Sequence, residues 1–203
     1  MRARMAGIGG VVMGVLLLAG FRLVTVPPPT VTHHHANWAV FVGGERLDLS
    51  DDRFMEDVAN CRTSPESIRP QDRIHLHDGD DEVVHVHHPA STWGQLLANL
   101  EMAAGPDYLF TPDGERHFAG ADSLLVFVRN GQRVYDLTNE PVRSEDRVVI
   151  SFGAESREEV VEGHFSQVAD NAAEHNEKAD PGACMGSHEP ETFLAKLRRA
   201  FIG

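Results

Sequence analysis

Between Arg73 and His88 the chain reads RIHLHDGDDEVVHVHH, with five histidines and four acids crowded around a single glycine. Neutral imidazole is a leading ligand for zinc and copper, so His75, His77, His85 and His87 form a candidate metal set. Imidazole is also the side chain that titrates nearest neutral pH and could move protons. The plainer alternative is a polar sheet strip, solvated or facing a partner, with Glu82 and the aspartates solvating the turn.

Hairpin geometry separates these readings, because successive strand side chains point to opposite faces and paired residues share one. With an even loop, Asp78 opposite Asp81, His75 and His77 would share a face with Val84 and Val86, and neither face would bury well. With an odd loop, Gly79 to Asp81, Ile74, Leu76, Val84 and Val86 line one face. His75, His77, His85 and His87 then line the other. A slip by one residue would send the apolar set into water, so the odd loop is expected, with a Gly-assisted bulge or longer turn.

The surrounding elements must hold this hairpin. Asn37 to Val42 reads as a strand, Gly43 and Gly44 as a turn, and Glu45 to Ser50 as the returning strand. Asp52 to Asn60 reads as a short helix. Thr92 and Gln95 form a capping box for a helix to Met102, with Leu96, Leu97 and Leu100 on one face. Tyr108 to Thr111 and Arg116 to Phe118 read as a further hairpin around Pro112, Asp113 and Gly114, or equally as loop. Asn130 and Gly131 supply a turn between Leu124–Arg129 and Gln132–Asp136, and Arg147 to Phe152 is a last buried strand. Val40, Phe41 and Val42 before Gly-Gly echo Val126, Phe127 and Val128 before Asn-Gly. Paired hairpins, a crossing helix and a central final strand point to an α+β, β-grasp-like mixed sheet over 36–153.

A helical extension follows over 154–203. Ser156 and Glu159 form a second capping box, and Val160, Val161, Phe165 and Val168 line a helix reaching His175. A final helix, Glu191 to Ile202, sets Phe193, Leu194, Leu197 and Phe201 against Lys196, Arg198 and Arg199. It could dock on its own domain, on a partner or on a membrane surface.

At the other end, Met5 to Phe21 is an unbroken run of apolar residues and glycine, preceded by Arg2 and Arg4 and followed by Arg22. With Leu23 to Val26 it is long enough for a single transmembrane helix over 1–26. No small-x-small cleavage site follows, so an uncleaved anchor is expected. The leading arginines favour a cytoplasmic N-terminus, with everything after Pro27 on the periplasmic or extracellular side of the cell inner membrane. Gly7, Gly9, Gly10 and Gly14 would permit close packing against another span. Residues 27–35 read as a stiff Pro/His linker; His33, His34 and His35 enter the first strand and could add ligands to the hairpin.

The formal net charge of −13 disfavours nucleic acid as a partner. Cys61 and Cys184 are the two cysteines, have no CxxC spacing, and in an extracytoplasmic domain would form a disulfide across a loop of roughly 120 residues. No GxSxG, Walker, GxGxxG, HExxH or haem-attachment motif occurs, so a non-enzymatic role is expected. The acidic loop lacks EF-hand spacing.

Together HHHANWAVFVGGERLDLS, HLHDGDDEVVHVHHPASTWGQLL, FVRNGQRVYDL and SEDRVVISFG, after a hydrophobic N-terminus, resemble uncharacterised membrane-anchored, histidine-rich extracytoplasmic proteins of bacteria and archaea. The resemblance implies an architecture and carries over no catalytic residue. Two functions are therefore expected from the sequence. One is a single-span accessory or scaffold subunit of an integral membrane complex, such as an electron-transfer or photosynthetic one. The other is a periplasmic protein that binds zinc or copper through its histidines.

Overall fold

A computed structural model describes residues 2–26, 32–57, 69–178 and 193–201. Cys61 and Cys184, with the disulfide expected of them, lie outside the described residues. The strands are β1 (His34–Val42), β2 (Glu45–Arg46), β3 (Ile74–His77), β4 (Asp80–Val86), β5 (Ala103–Gly105), β6 (Tyr108–Phe110), β7 (Arg116–Phe118), β8 (Leu124–Arg129), β9 (Gln132–Val134) and β10 (Arg147–Gly153). The helices are α1 (Arg2–Thr25), α2 (Trp93–Asn99), α3 (Arg157–Glu159), α4 (Ala172–Glu177) and α5 (Phe193–Phe201). The chain divides into two compact units, 31–186 and 1–30 with 187–203.

In the larger unit β1 lies beside β10, and the two are parallel, with Trp38 opposite Val148 and Val40 opposite Ile150. Parallel neighbours need a long crossover, and the whole segment between them supplies it. The resulting seven-stranded mixed sheet runs β3-β4-β1-β10-β8-β9, with β2 also paired to β1. Alternation sorts its residues into two clusters. Ala36, Trp38, Val40, Ile74, Leu76, Val84, Val86, Phe127, Val148 and Ile150 pack with Trp93, Leu96, Leu97 and Leu100 of the α2 region. Across the sheet, Ala39, Phe41, Val126, Val128 and Val149 pack with Val160 and Val168 of the C-terminal segment. Full burial of a large apolar side chain contributes about 1.5–3 kcal/mol, so both layers hold the sheet.

Helix α2 begins where the expected capping box closes, with Thr92 and Gln95 each bonding the other's backbone. Its Gly94 lies against the next layer: a Cβ there would stand 2.6 Å from the Thr138 carbonyl oxygen. Strands β5, β6 and β7 form a separate three-stranded antiparallel sheet, which includes the hairpin expected over Tyr108–Phe118.

Several local expectations change, each for a physical reason. The His hairpin turns on two residues, Asp78 and Gly79, with φ of 59° and 72°. That is the type I′ preference of Asp-Gly. A two-residue loop would flip the faces, but the register shifts between His75 and His77, so that Ile74 pairs Val86 and His75 pairs His85. The face assignment survives because the bulge restores parity. The returning strand after Gly43-Gly44 is only Glu45–Arg46, since β4 occupies the same edge of β1 at His34 to Asn37. In place of a helix from Asp52 there is one 3₁₀ turn, Asp52–Phe54. The chain then joins the sheet edge, where Met55 bridges Leu76 and Glu56 N–H donates to the Leu76 carbonyl at 2.8 Å.

The helix expected from Ser156 to His175 is broken. Its capping box forms, but α3 passes into a π turn, Val160–His164, and a 3₁₀ turn, Phe165–Gln167. The π turn brings His164 inward to stack on Phe41 at 4.1 Å, with Nδ1 3.0 Å from the Ser151 hydroxyl. Arg147 then binds the carbonyls of Val168 and Ala169 at 2.6 and 3.0 Å, turning the chain back across the sheet.

In the smaller unit, the Arg22 Nε–H donates to the Ala200 carbonyl, tying α1 to α5. Phe193, Leu197 and Phe201 of α5 remain exposed, as do Leu17, Leu18, Phe21 and Val24 of α1. Gly14 has open space around it; Gly7 and Gly10 lie on the same helix. Among the described residues no helix is long and apolar enough to cross a membrane.

One buried ion pair holds the β8–β10 end of the sheet. Arg129 forks onto Asp146 at 3.0 and 2.5 Å, while Asn130 and the Arg143 N–H also donate to that carboxylate. Their side chains are 11% and 3% exposed. Asp146→Ala would leave the Arg129 guanidinium with the exposed Glu140 carboxylate at 3.6 Å and the Pro141 carbonyl at 3.2 Å, and is expected to destabilise the fold by about 3 kcal/mol. Urea unfolding of the variant checks this.

Candidate histidine site

The sheet face opposite Trp38 carries histidines where the β8–β10 side carries valines. Because β1 pairs β4 with His35 opposite His85, and β3 pairs β4 with His75 opposite His85, three imidazoles form one row across three strands. His87 and His33 continue the face one step along, stacked with ring centres 4.9 Å apart. His77 packs on His85 at 3.5 Å between centroids, and His175 reaches the group from α4, 5.5 Å from His35. The four histidines singled out in the hairpin are therefore together, joined by His33, His35 and His175.

Of these additions, His33 and His35 were legible as candidate ligands. His175 was not, since nothing local marks a helical residue ninety positions away as a neighbour. His34 points elsewhere, its Nε2 3.1 Å from the Val142 carbonyl, and His88 Nδ1 caps the Ala90 N–H at 3.2 Å. His117 sits on the small sheet, 3.5 Å from Glu115.

Asn37 places α4. Fully buried, its Oδ1 accepts from the N–H groups of Asn171 and Ala172 at 3.1 and 2.9 Å, and its Nδ2 donates to Asn171 Oδ1 and the Glu82 carbonyl. Every hydrogen-bonding direction of that amide is used. One turn on, Asn176 Oδ1 accepts from both the backbone N–H and Nδ1 of His35, at 2.8 and 2.9 Å, while its Nδ2 faces Ser144 and Glu145.

These outer partners select the ring tautomers. A donor at His35 Nδ1 leaves the Nε2 lone pair directed at His85 Nδ1, 2.9 Å away. Asp78 does the same for His77, accepting from Nδ1 at 2.9 Å and leaving Nε2 2.8 Å from that same His85 nitrogen. His75 Nδ1 donates to the Gln71 carbonyl at 2.6 Å. A carbonyl or carboxylate on the far nitrogen is how metal-binding imidazoles are oriented. One sp² nitrogen of His85 carries a single hydrogen or a single lone pair, so it cannot fully satisfy two rings. Neither nitrogen of His87 meets a hydrogen-bond partner among the described residues. Burial of such groups costs about 1–3 kcal/mol each when left unsatisfied.

Among the described residues two sets of three histidines could hold a metal ion: His33, His85 and His87, and His35, His85 and His175. Within each, the donor nitrogens lie within 4.8 Å of one another. The aspartates of the turn are not part of either. Asp81 instead binds Arg46 at 2.7 Å and the Leu49 N–H at 2.9 Å, tying the strap after β2 to β4.

Burial and mutual repulsion disfavour the charged form of three of these rings. Burial, then repulsion from His77, His35, His75 and His87, holds the His85 pKa far below the ordinary imidazole value. Burial and neighbouring His75 and His33 lower His87 to about 2. His175 is lowered too, by burial and by Lys178. Neutral imidazole is the form that binds metal.

No protein-family model, curated protein or solved structure matches the chain.

The pKa shifts have a definite sign. His85 and His87 take up protons at about 6.5 in the unfolded chain but only at much lower pH when folded. The metal-free fold keeps its full stability above that pH. It should lose stability as pH falls from about 6.5 towards the folded values, by about 1.4 kcal/mol per pH unit for each such histidine. Denaturant unfolding between pH 7.5 and 5 in a chelator reads this slope, and His87→Phe should flatten it.

Proposed function

We propose that this protein binds a transition-metal ion, zinc or copper, on the histidine face of its sheet. The observation that carries the reading is His85, a buried ring shared by two histidine triads and approached by one further lone-pair nitrogen, His77 Nε2. All-imidazole donor sets suit zinc and copper and not calcium or magnesium, which need oxygen. Tetrahedral coordination at 2.0–2.1 Å asks donors to stand about 3.4 Å apart, against separations of up to 4.8 Å within each triad. The role is binding or buffering, and no catalytic step is assigned. Metal analysis of untagged protein should find zinc or copper in the wild type. The variant with His75, His77, His85 and His87 all replaced by alanine should lose it; equal metal in both would end this reading.

A second reading rests on the smaller unit, where apolar side chains stay exposed along both helices. Helix α1 has 24 residues, about 36 Å at the α-helical rise, against a hydrocarbon core of about 30 Å. The exposed apolar residues of α1 and α5 suit a single-span anchor that packs on an integral membrane complex, with the acidic body on the periplasmic side. The pairing of first and last strands at the centre of the sheet, flanked by hairpins, supports the β-grasp-like architecture for that body. Extraction of native membranes in mild detergent should bring down an integral partner with the protein. Recovery in the soluble fraction, or migration as a lone monomer, would count against this anchoring role.

A further inference from the structure

Two ions can be held at once only if His85 serves both triads. The triads share no other residue, and His85 alone belongs to each. Its Nδ1 is the nitrogen facing His35 Nε2 at 2.9 Å and His77 Nε2 at 2.8 Å. That leaves Nε2 for the set made with His33 and His87. His87, whose nitrogens find no partner among the described residues, has no role in a single centre built on His35 and His175.

We infer that His85 bridges a binuclear site, binding one ion through Nδ1 with His35 and His175 and a second through Nε2 with His33 and His87. The inference rests on the metal-binding reading and adds the number of ions and the bridge between them. The protons balance simply. In the metal-free ring the lone pairs of His35 and His77 hold the His85 proton on Nδ1; the first ion takes that nitrogen's lone pair as the proton passes to Nε2, and the ring stays neutral. The second ion displaces that proton to solvent and bonds the Nε2 lone pair, leaving an imidazolate between two ions. One proton is released and no electron moves.

Copper(II) gives the bridge a direct readout, since an imidazolate couples two spins that separate sites would leave independent. The metal-free full chain in mild detergent is titrated with copper(II) and followed by electron paramagnetic resonance. The first equivalent should give an ordinary mononuclear signal. The second should lower the signal per copper as the spins couple, and release one more proton than the first in a lightly buffered titration. Zinc equilibrium dialysis should give two ions per chain. His35→Ala and His87→Ala should each hold one ion with an uncoupled signal, while His88→Ala, outside the cluster, should behave as wild type. The wild-type spectra stand even where a variant fails to fold. A second copper that adds an independent signal, or saturation at one ion, overturns the bridge and leaves the metal-binding reading intact. Absence of bound metal overturns both.

Discussion

Side-chain alternation across β3, β4 and β1 is the constraint on which the structure depends. Once Ile74, Leu76, Val84, Val86, Ala36 and Trp38 are committed to one side of the sheet, the intervening residues must project from the other. Those residues are His75, His85, His35 and Asn37. Burying the apolar set therefore forces the imidazoles together whether or not they attract one another. The bulge between His75 and His77 shows the strength of this requirement, because an Asp-Gly turn that would otherwise invert the faces is reconciled with them by extra residues in β4.

The imidazole side of the sheet is covered, which distinguishes it from a solvated strip. The segment after β10 crosses that face, first with Val160 and Val168 over the valines of β8 and β10, then with α4 over β1. Two asparagines place it: Asn37 from the sheet holds the start of α4, and Asn176 from α4 holds His35. A polar cluster closed in this way is stable only if its members are satisfied. Imidazoles in contact, with His85 Nδ1 shared by two neighbours and neither nitrogen of His87 hydrogen-bonded among the described residues, form an arrangement that a bound cation would complete.

The acidic balance of the chain divides in purpose. Asp78 orients a ring and Asp81 holds the strap after β2, so two members of the DGDDE run are structural. Asp146 is the buried partner of Arg129. The remaining surface charge favours cations over anionic partners in the surrounding solution.

By itself the sequence determined the local units: the two capping boxes, the primed turns at Gly43-Gly44 and Asn130-Gly131, and the two-faced character of the His hairpin. Each depends on residues within a few positions of one another, where stereochemistry and period-2 burial leave little choice. Only the tertiary structure decided how far each unit extends. The strand after Gly44 stops at Arg46 because β4 competes for the same edge, and the helix after Ser156 breaks where His164 turns inward against Phe41. The site was legible in the same proportion. His75, His77, His85 and His87 could be placed on one face from spacing alone. His35 joins them through the β1–β4 register, and His175 through a helix that packs on β1 from 140 positions away in sequence. No local pattern encodes contacts of that separation, because they form only when the chain has closed its sheet and laid its C-terminal segment across it.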